Sequence, residues 1–166
     1  KIIELDLPLL VHTGNEESFT RTNDRLGDPE LLRLPLSLGV KVIAAHVASS
    51  GKSDGYENID RLLAMMDEFP NLYADISSLT QINKRKNLGK VINDKRLKGR
   101  LLYGTDYPLI NTVIVNPIQY LLNLNLKQLK DLILTRNPWD RDVKLKSLLG
   151  FQNDIFKNTG DFLKLD

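Results

Sequence analysis

The sequence predicts an α/β protein made of parallel βα units, and three observations carry that prediction. Short apolar runs of strand length occur at residues 9–11, 40–45, 72–76 and 101–103, rich in β-branched and aromatic side chains. Helical patterns lie between them. Polar residues close the four runs at His12, His46, Asp75 and Asp106, spaced 34, 29 and 31 residues apart. Strands alternating with helices at this period are βα units, and their crossovers force a parallel sheet. Four units make either a small open doubly wound sheet or half of an eight-stranded, TIM-type (β/α)8 barrel. A complete barrel takes about 250 residues, and this chain has 166. A half-barrel leaves two strand edges unpaired, so it calls for a cover or for pairing with another chain.

In chain order, the run at 9–11 is the first strand. Residues 14–27 form a long loop behind it carrying Asn15, Glu16, Glu17, Arg21, Asn23 and Asp24. Loops of this length are binding loops or plain surface connections, and both readings stand. Asp28-Pro29 starts a helix, with Asp28 as N-cap and Pro29 at the first helical position. The leucines of 31–38 are expected in the core, with Pro35 limiting the helix. After the second strand, residues 49–55 read as a flexible βα loop. Ile59, Leu62, Leu63, Met66 and Phe69 follow the i, i+3, i+4, i+7 rule of an amphipathic helix. Residues 79–93 make a weaker helix interrupted by Gly89. Three helical stretches, 117–122, 126–135 and 141–149, follow the last strand. The half-barrel domain is expected over residues 1–150 and a C-terminal tail over 151–166.

Composition narrows the classes of function. The chain is 42% hydrophobic and 27% charged, with a net charge of +2. That balance excludes disorder and gives no strong pull toward nucleic acid or a membrane surface. There are no cysteines, which removes disulfides, thiolate zinc sites and a cysteine nucleophile and suits a reducing compartment such as the cytoplasm. No apolar stretch approaches the roughly 20 residues of a membrane span, and no export signal opens the chain. The start at Lys1, without Met, reads as a fragment of a longer protein.

In both candidate architectures the chemistry sits at the C-terminal ends of the strands. Both histidines of the chain, His12 and His46, follow apolar runs there, and Asp106 stands at a third strand end. Neutral imidazole and carboxylate are the usual ligands of a catalytic divalent metal. Asp75 either faces the same site or caps the segment after it. Other motifs are weaker. Ser50-Gly51-Lys52-Ser53 echoes a phosphate loop, but the position of its required first glycine holds His46, so that reading fails. Residues 84–100 hold eight basic side chains and one acid, without interleaved aromatics, which describes a solvated outer helix face. Trp139, after Asn137-Pro138, marks a helix start and is assigned no chemistry.

Three segments together resemble a known family: Pro8 to Gly14 with its His-Thr-Gly, the run from Gly39 to His46, and Tyr103 to Pro108. They are similar, in order, to strands five, six and eight of the amidohydrolase-related family of metal-dependent (β/α)8-barrel hydrolases and decarboxylases. The resemblance implies a C-terminal half-barrel. It implies that His12 and Asp106 bind a divalent metal, most readily zinc, with manganese or nickel as alternatives. It implies that His46 binds a second metal or polarises the substrate, and that Asp106 also moves protons. The family's first-strand His-x-His pair is absent, leaving about half of the metal shell. The expected partners are a small-molecule substrate and either the N-terminal half of the barrel or a second copy. The implied activity is attack of metal-activated water on a small amide, ester or lactone. A decarboxylase of the same family is one alternative. A non-catalytic half-barrel assembly module and a flavodoxin-like domain without metal are the others.

Overall fold

The structure, a computed structural model, describes residues 1–15, 23–111 and 115–164. Glu16, Glu17 and Arg21 of the loop behind the first strand lie outside the described residues.

Among the described residues six strands are formed: β1 (Leu9–Val11), β2 (Val42–Ala44), β3 (Lys52–Ser53), β4 (Tyr56–Glu57), β5 (Leu72–Asp75) and β6 (Leu101–Leu102). Strands β1, β2, β5 and β6 make one parallel sheet in that order, and β3 and β4 make a separate antiparallel pair. The order decides between the two architectures. A doubly wound sheet reverses its strand order at a switch point, whereas here every strand lies beside the next one in sequence. Sequential parallel order is that of a barrel wall, and the wall is open, with β1 and β6 as its edges. The flavodoxin-like reading is thereby set aside.

The register Leu9–Val42–Leu72 and Val11–Ala44–Ala74–Leu101 sorts the side chains by face. Val42, Ala44, Leu72 and Ala74 are fully buried against the helices. The alternate positions Leu10, Ile43 and Tyr73 point to the other face, where Leu10 on the edge strand is 62% exposed and Tyr73 packs against Phe162. The principal covering helix, α2 (Asn58–Glu68), buries Ile59, Leu62, Leu63, Met65 and Met66, as its 3.6-residue period predicts. Each such side chain contributes about 1.5–3 kcal/mol by leaving water.

Asp28 accepts a hydrogen bond from the Glu30 amide ahead of Pro29, as a cap should. A single 3-10 turn, Pro29–Leu32, then leads into the short α1 (Arg33–Ser37). Pro35 falls early enough in α1 that its missing N–H costs no helical bond. Only Leu32 and Leu36 of the leucine run are buried; Leu31, Leu34 and Leu38 are exposed, because a helix turns one residue in three or four inward. Residues 49–55 are ordered differently from the flexible loop expected. Asp54 and Gly55 both have positive φ and join β3 to β4 in a two-residue hairpin, the turn that an Asp-Gly pair favours.

The predicted helix over 79–93 is reduced to a 3-10 turn and α3 (Leu88–Asn93). Residues 117–122 carry a 3-10 turn over Pro117–Tyr120. Helices α4 (Leu126–Leu134) and α5 (Pro138–Leu148) form where expected, the first with an Asn125–Gln128 capping box and the second capped by Asn137. The segment expected as a tail carries α6 (Ile155–Leu163). It lies along the free edge of β6. Thr159 Oγ1 accepts from the Tyr103 amide at 2.9 Å and donates to the Tyr103 carbonyl at 3.2 Å.

Candidate functional site

The C-terminal ends of the four parallel strands place His12, His46, Asp75 and Asp106 on one rim. His12 follows β1 and is exposed; His46 follows β2 and is buried. Because β1 and β2 are neighbours in register, the two imidazoles meet edge to face with ring centroids 5.2 Å apart. Asp106 follows β6, two strands from His46, and its charge still reaches that imidazole.

His46 is held by everything around it. Its amide donates to Asp75 Oδ1 at 3.0 Å, and the same oxygen accepts from the Ser77 amide and the Ser77 hydroxyl. Thr13 Oγ1 donates to the preceding carbonyl of Ala45 at 2.6 Å. These bonds fix a turn in which His46, Val47 and Ala48 all have φ near +50 to +60°. A β-branched residue rarely adopts that region, and such strain gathers at functional sites. Asp75 thus faces the site, through the backbone and partner of His46.

The tautomer of His46 follows from its neighbours. Ser77 Oγ lies 2.7 Å from His46 Nδ1. Its own proton goes to Asp75, so it accepts the Nδ1–H and leaves the lone pair on Nε2. A ring N–H committed to an outer partner, with the other nitrogen presented, is how metal-bound histidines are held. Burial, and next the charge of Lys84, pushes the His46 pKa down, while Asp75 and Asp106 oppose this. The neutral ring is favoured.

Asp106 also sits at positive φ. Its Oδ2 accepts from the Ser78 hydroxyl and from Gln81 Nε2 at 3.3 Å. The other end of that amide, Gln81 Oε1, is buried without a hydrogen-bond partner. Lys84 corrects the reading of 84–100 as a solvated face: it is 3% exposed. The segment from Ser78 to Asn87 folds over the strand ends, pinned by Asn87 Nδ2 to the Ser49 carbonyl at 2.6 Å, and this turns Lys84 inward. Trp139 does more than mark a helix start, for its ring stacks on Tyr107 beside Asp106. Sequence reasoning thus missed Ser77, Ser78, Gln81 and Lys84; the Ser-Ser pair directly after the third strand was the available signal.

The donors fit a divalent ion in kind: two imidazoles in contact, one with a fixed tautomer, and a carboxylate on the same rim. They do not complete a shell, since no group of three or more His, Asp or Glu side chains among the described residues is arranged to hold one ion.

The chain thus combines an open parallel barrel wall with two imidazoles and a carboxylate at its strand ends. The amidohydrolase family model matches residues 1–139, and the chain belongs to that family. Among solved structures it is similar to an amidohydrolase 2 from Bifidobacterium longum subsp. infantis, with a TM-score of 0.52 and 19% identity. That match covers 99% of this chain and 52% of the other. A protein from Lactobacillus casei ATCC 334, provisionally assigned as a metal-dependent hydrolase, matches with a TM-score of 0.52 and 23% identity. It covers 98% of this chain and 40% of that one. The chain therefore spans about half of the structures it resembles, and the likeness is one of fold. A comparison with curated proteins finds no significant match. Among the described residues, no helix is long and apolar enough to cross a membrane.

Proposed function

We propose that this half-barrel carries part of the active site of a metal-dependent hydrolase acting on a small amide, ester or lactone. The observation that carries the reading is the His12–His46 ring contact at adjacent strand ends, with the Asp75–Ser77 pair presenting His46 Nε2. In this reading His12, His46 and Asp106 hold a divalent ion, zinc being the best match to imidazole and carboxylate donors. When bound, such an ion supplies hydroxide at neutral pH by bringing the pKa of its water from about 15.7 toward 7.

The chain's own residues do the rest. Asp106 has its Oδ2 occupied by Ser78 and Gln81, so Oδ1 is the oxygen left both to face the ion and, through its second lone pair, to take a proton from water and return it to the leaving group. His46, held neutral, binds through Nε2. Lys84, buried in the segment over the strand ends, sets a positive charge near His46 that favours the neutral ring. A second set of four strands, from the same polypeptide or a second copy, completes the wall; the open edge at β1 and the exposed Leu10 support this.

The test is metal retention in variants of the complete protein. His12→Ala, His46→Ala and Asp106→Ala are each expected to lose zinc by elemental analysis. Lys86→Ala, on an exposed side chain, is expected to keep it. Retained zinc and unchanged ester hydrolysis in all three ligand variants would refute the assignment.

A further inference from the structure

Beside Tyr103 and Gly104, which lead into Asp106, α5 contributes a fully enclosed ion pair. Lys146 is 0% exposed and its Nζ lies 2.7 Å from Asp142 Oδ2. Neither residue belongs to the rim, and both lie beyond the residues that the family model matches. A buried pair of this kind is weak as a stabilising device, because desolvation offsets most of the attraction. Its contacts show another use.

Lys146 Nζ also donates to the Gly104 carbonyl at 3.2 Å and sits 5.0 Å from the centre of the Tyr103 ring. Asp142 Oδ2 accepts the Tyr103 hydroxyl at 3.0 Å, and its Oδ1 is 3.5 Å from the Thr80 hydroxyl. Tyr120 in turn donates to the Thr80 carbonyl at 2.9 Å. The pair therefore touches two segments at once. One is Tyr103-Gly104, which leads into Asp106 with its positive φ. The other is the turn of Ser78 and Gln81, the two donors to Asp106 Oδ2. Burial, and then the Asp142 carboxylate, raises the Tyr103 pKa far above its ordinary value, so the phenol remains a donor.

We propose that Asp142 and Lys146 are positioning residues that hold the Asp106 backbone and its Ser78–Gln81 donors in one fixed arrangement. The inference rests on the reading of Asp106 as the proton-carrying carboxylate. Removing the pair should loosen the carboxylate while the fold survives.

The test is the double variant D142L/K146M, which removes both charges together and strands neither. Apolar replacement of a buried pair is often tolerated, so a dispersed amide spectrum and a Tm near that of the parent are expected. In that spectrum the Gln81 side-chain amide and the Asp106 backbone amide should shift. Zinc affinity of the complete protein should fall about 10-fold or more, as it does when outer partners of ligands are lost. Unmoved Gln81 and Asp106 signals in a folded double variant would overturn the proposal. If the double variant does not fold, Tyr103→Phe removes one bond to Asp142 and reads the same two signals: a shift supports the proposal and no shift overturns it. Both signals are read without metal, so absence of zinc binding by the parent would count against the metal reading alone.

Discussion

At the N-terminal ends of the parallel strands the left-handed turns fall on Gly39 and Gly99; beyond the C-terminal ends Gly14, Gly51 and Gly55 are joined by His46, Val47, Ala48, Asp54, Ser78 and Asp106, none of them glycine. A residue with a Cβ costs about 1–2 kcal/mol in this conformation. The lower end avoids that cost and closes its chain with clamps. Asn71 Nδ2 reaches the Leu36 and Val40 carbonyls, and Arg100 reaches those of Met66 and Phe69. Asp6 is the exception there, exposed and tied to Lys41 and Lys164. The upper end accepts strain to place an imidazole and a carboxylate, and holds them with buried hydroxyls. One sheet thus carries its backbone clamps at one end and its imidazoles and carboxylates at the other.

Substitutions can break this contrast. The largest effect is expected beneath the sheet, where Leu62 is 0% exposed. Leu62→Ala should cost about 2–5 kcal/mol in a urea titration, while the histidine ring signals stay in place. A coupled movement of those signals would show that the two ends are not separable.

Next comes a matched pair at the turns. Gly39 has open space around its α-carbon, so Gly39→Ala pays only the conformational cost, about 1–2 kcal/mol. Ala48→Gly removes a methyl group but relieves the same strain. Its stability should stay within about 1 kcal/mol of the parent or exceed it, although alanine-to-glycine changes usually destabilise. Equal losses in both variants would mean that the upper turn is not strained.

The smallest effect is a pH slope. The folded pKa of His46 is depressed below 6.5, chiefly by burial. The folded protein then binds fewer protons than the unfolded chain as pH falls through 6.5. Stability is therefore full above that value and declines below it until the folded pKa is passed. The carboxylates held low by ion pairs, Asp6 at about 2 and also Asp94, lose their contribution only at more acid pH. Melting temperatures at pH 7.5 and 5.5 should differ in the parent and differ less in His46→Asn, since asparagine tolerates the left-handed backbone.

Much of this was legible in sequence because it is local. Strand-length runs, their period and the polar residues closing them placed His12, His46 and Asp106 on one rim. The Asp54-Gly55 hairpin is equally local, since Asp-Gly is a pair that such turns favour. What stayed hidden depends on where loops fold back. Lys84 belongs to a basic stretch and reads as solvated; only the packing of residues 78–87 over the strand ends turns it inward. The Asp75–Ser77–His46 linkage joins two strands 29 residues apart, and no periodicity encodes it. Asp142 and Lys146 stand four residues apart on one helix, and only their contacts with Tyr103 and Gly104 mark them as enclosed.

The central claim, that the strand ends present His46 Nε2 and His12 to one divalent ion, is tested most directly by nitrogen-15 spectroscopy. The chain has two histidines, so isotope labelling of this segment alone keeps the ring spectrum simple within the complete protein. The account predicts the Nδ1–H tautomer for His46 and a simultaneous shift of His46 Nε2 and one His12 nitrogen on addition of zinc to the complete protein. An Nε2–H tautomer for His46, with both rings unchanged by zinc, would contradict it.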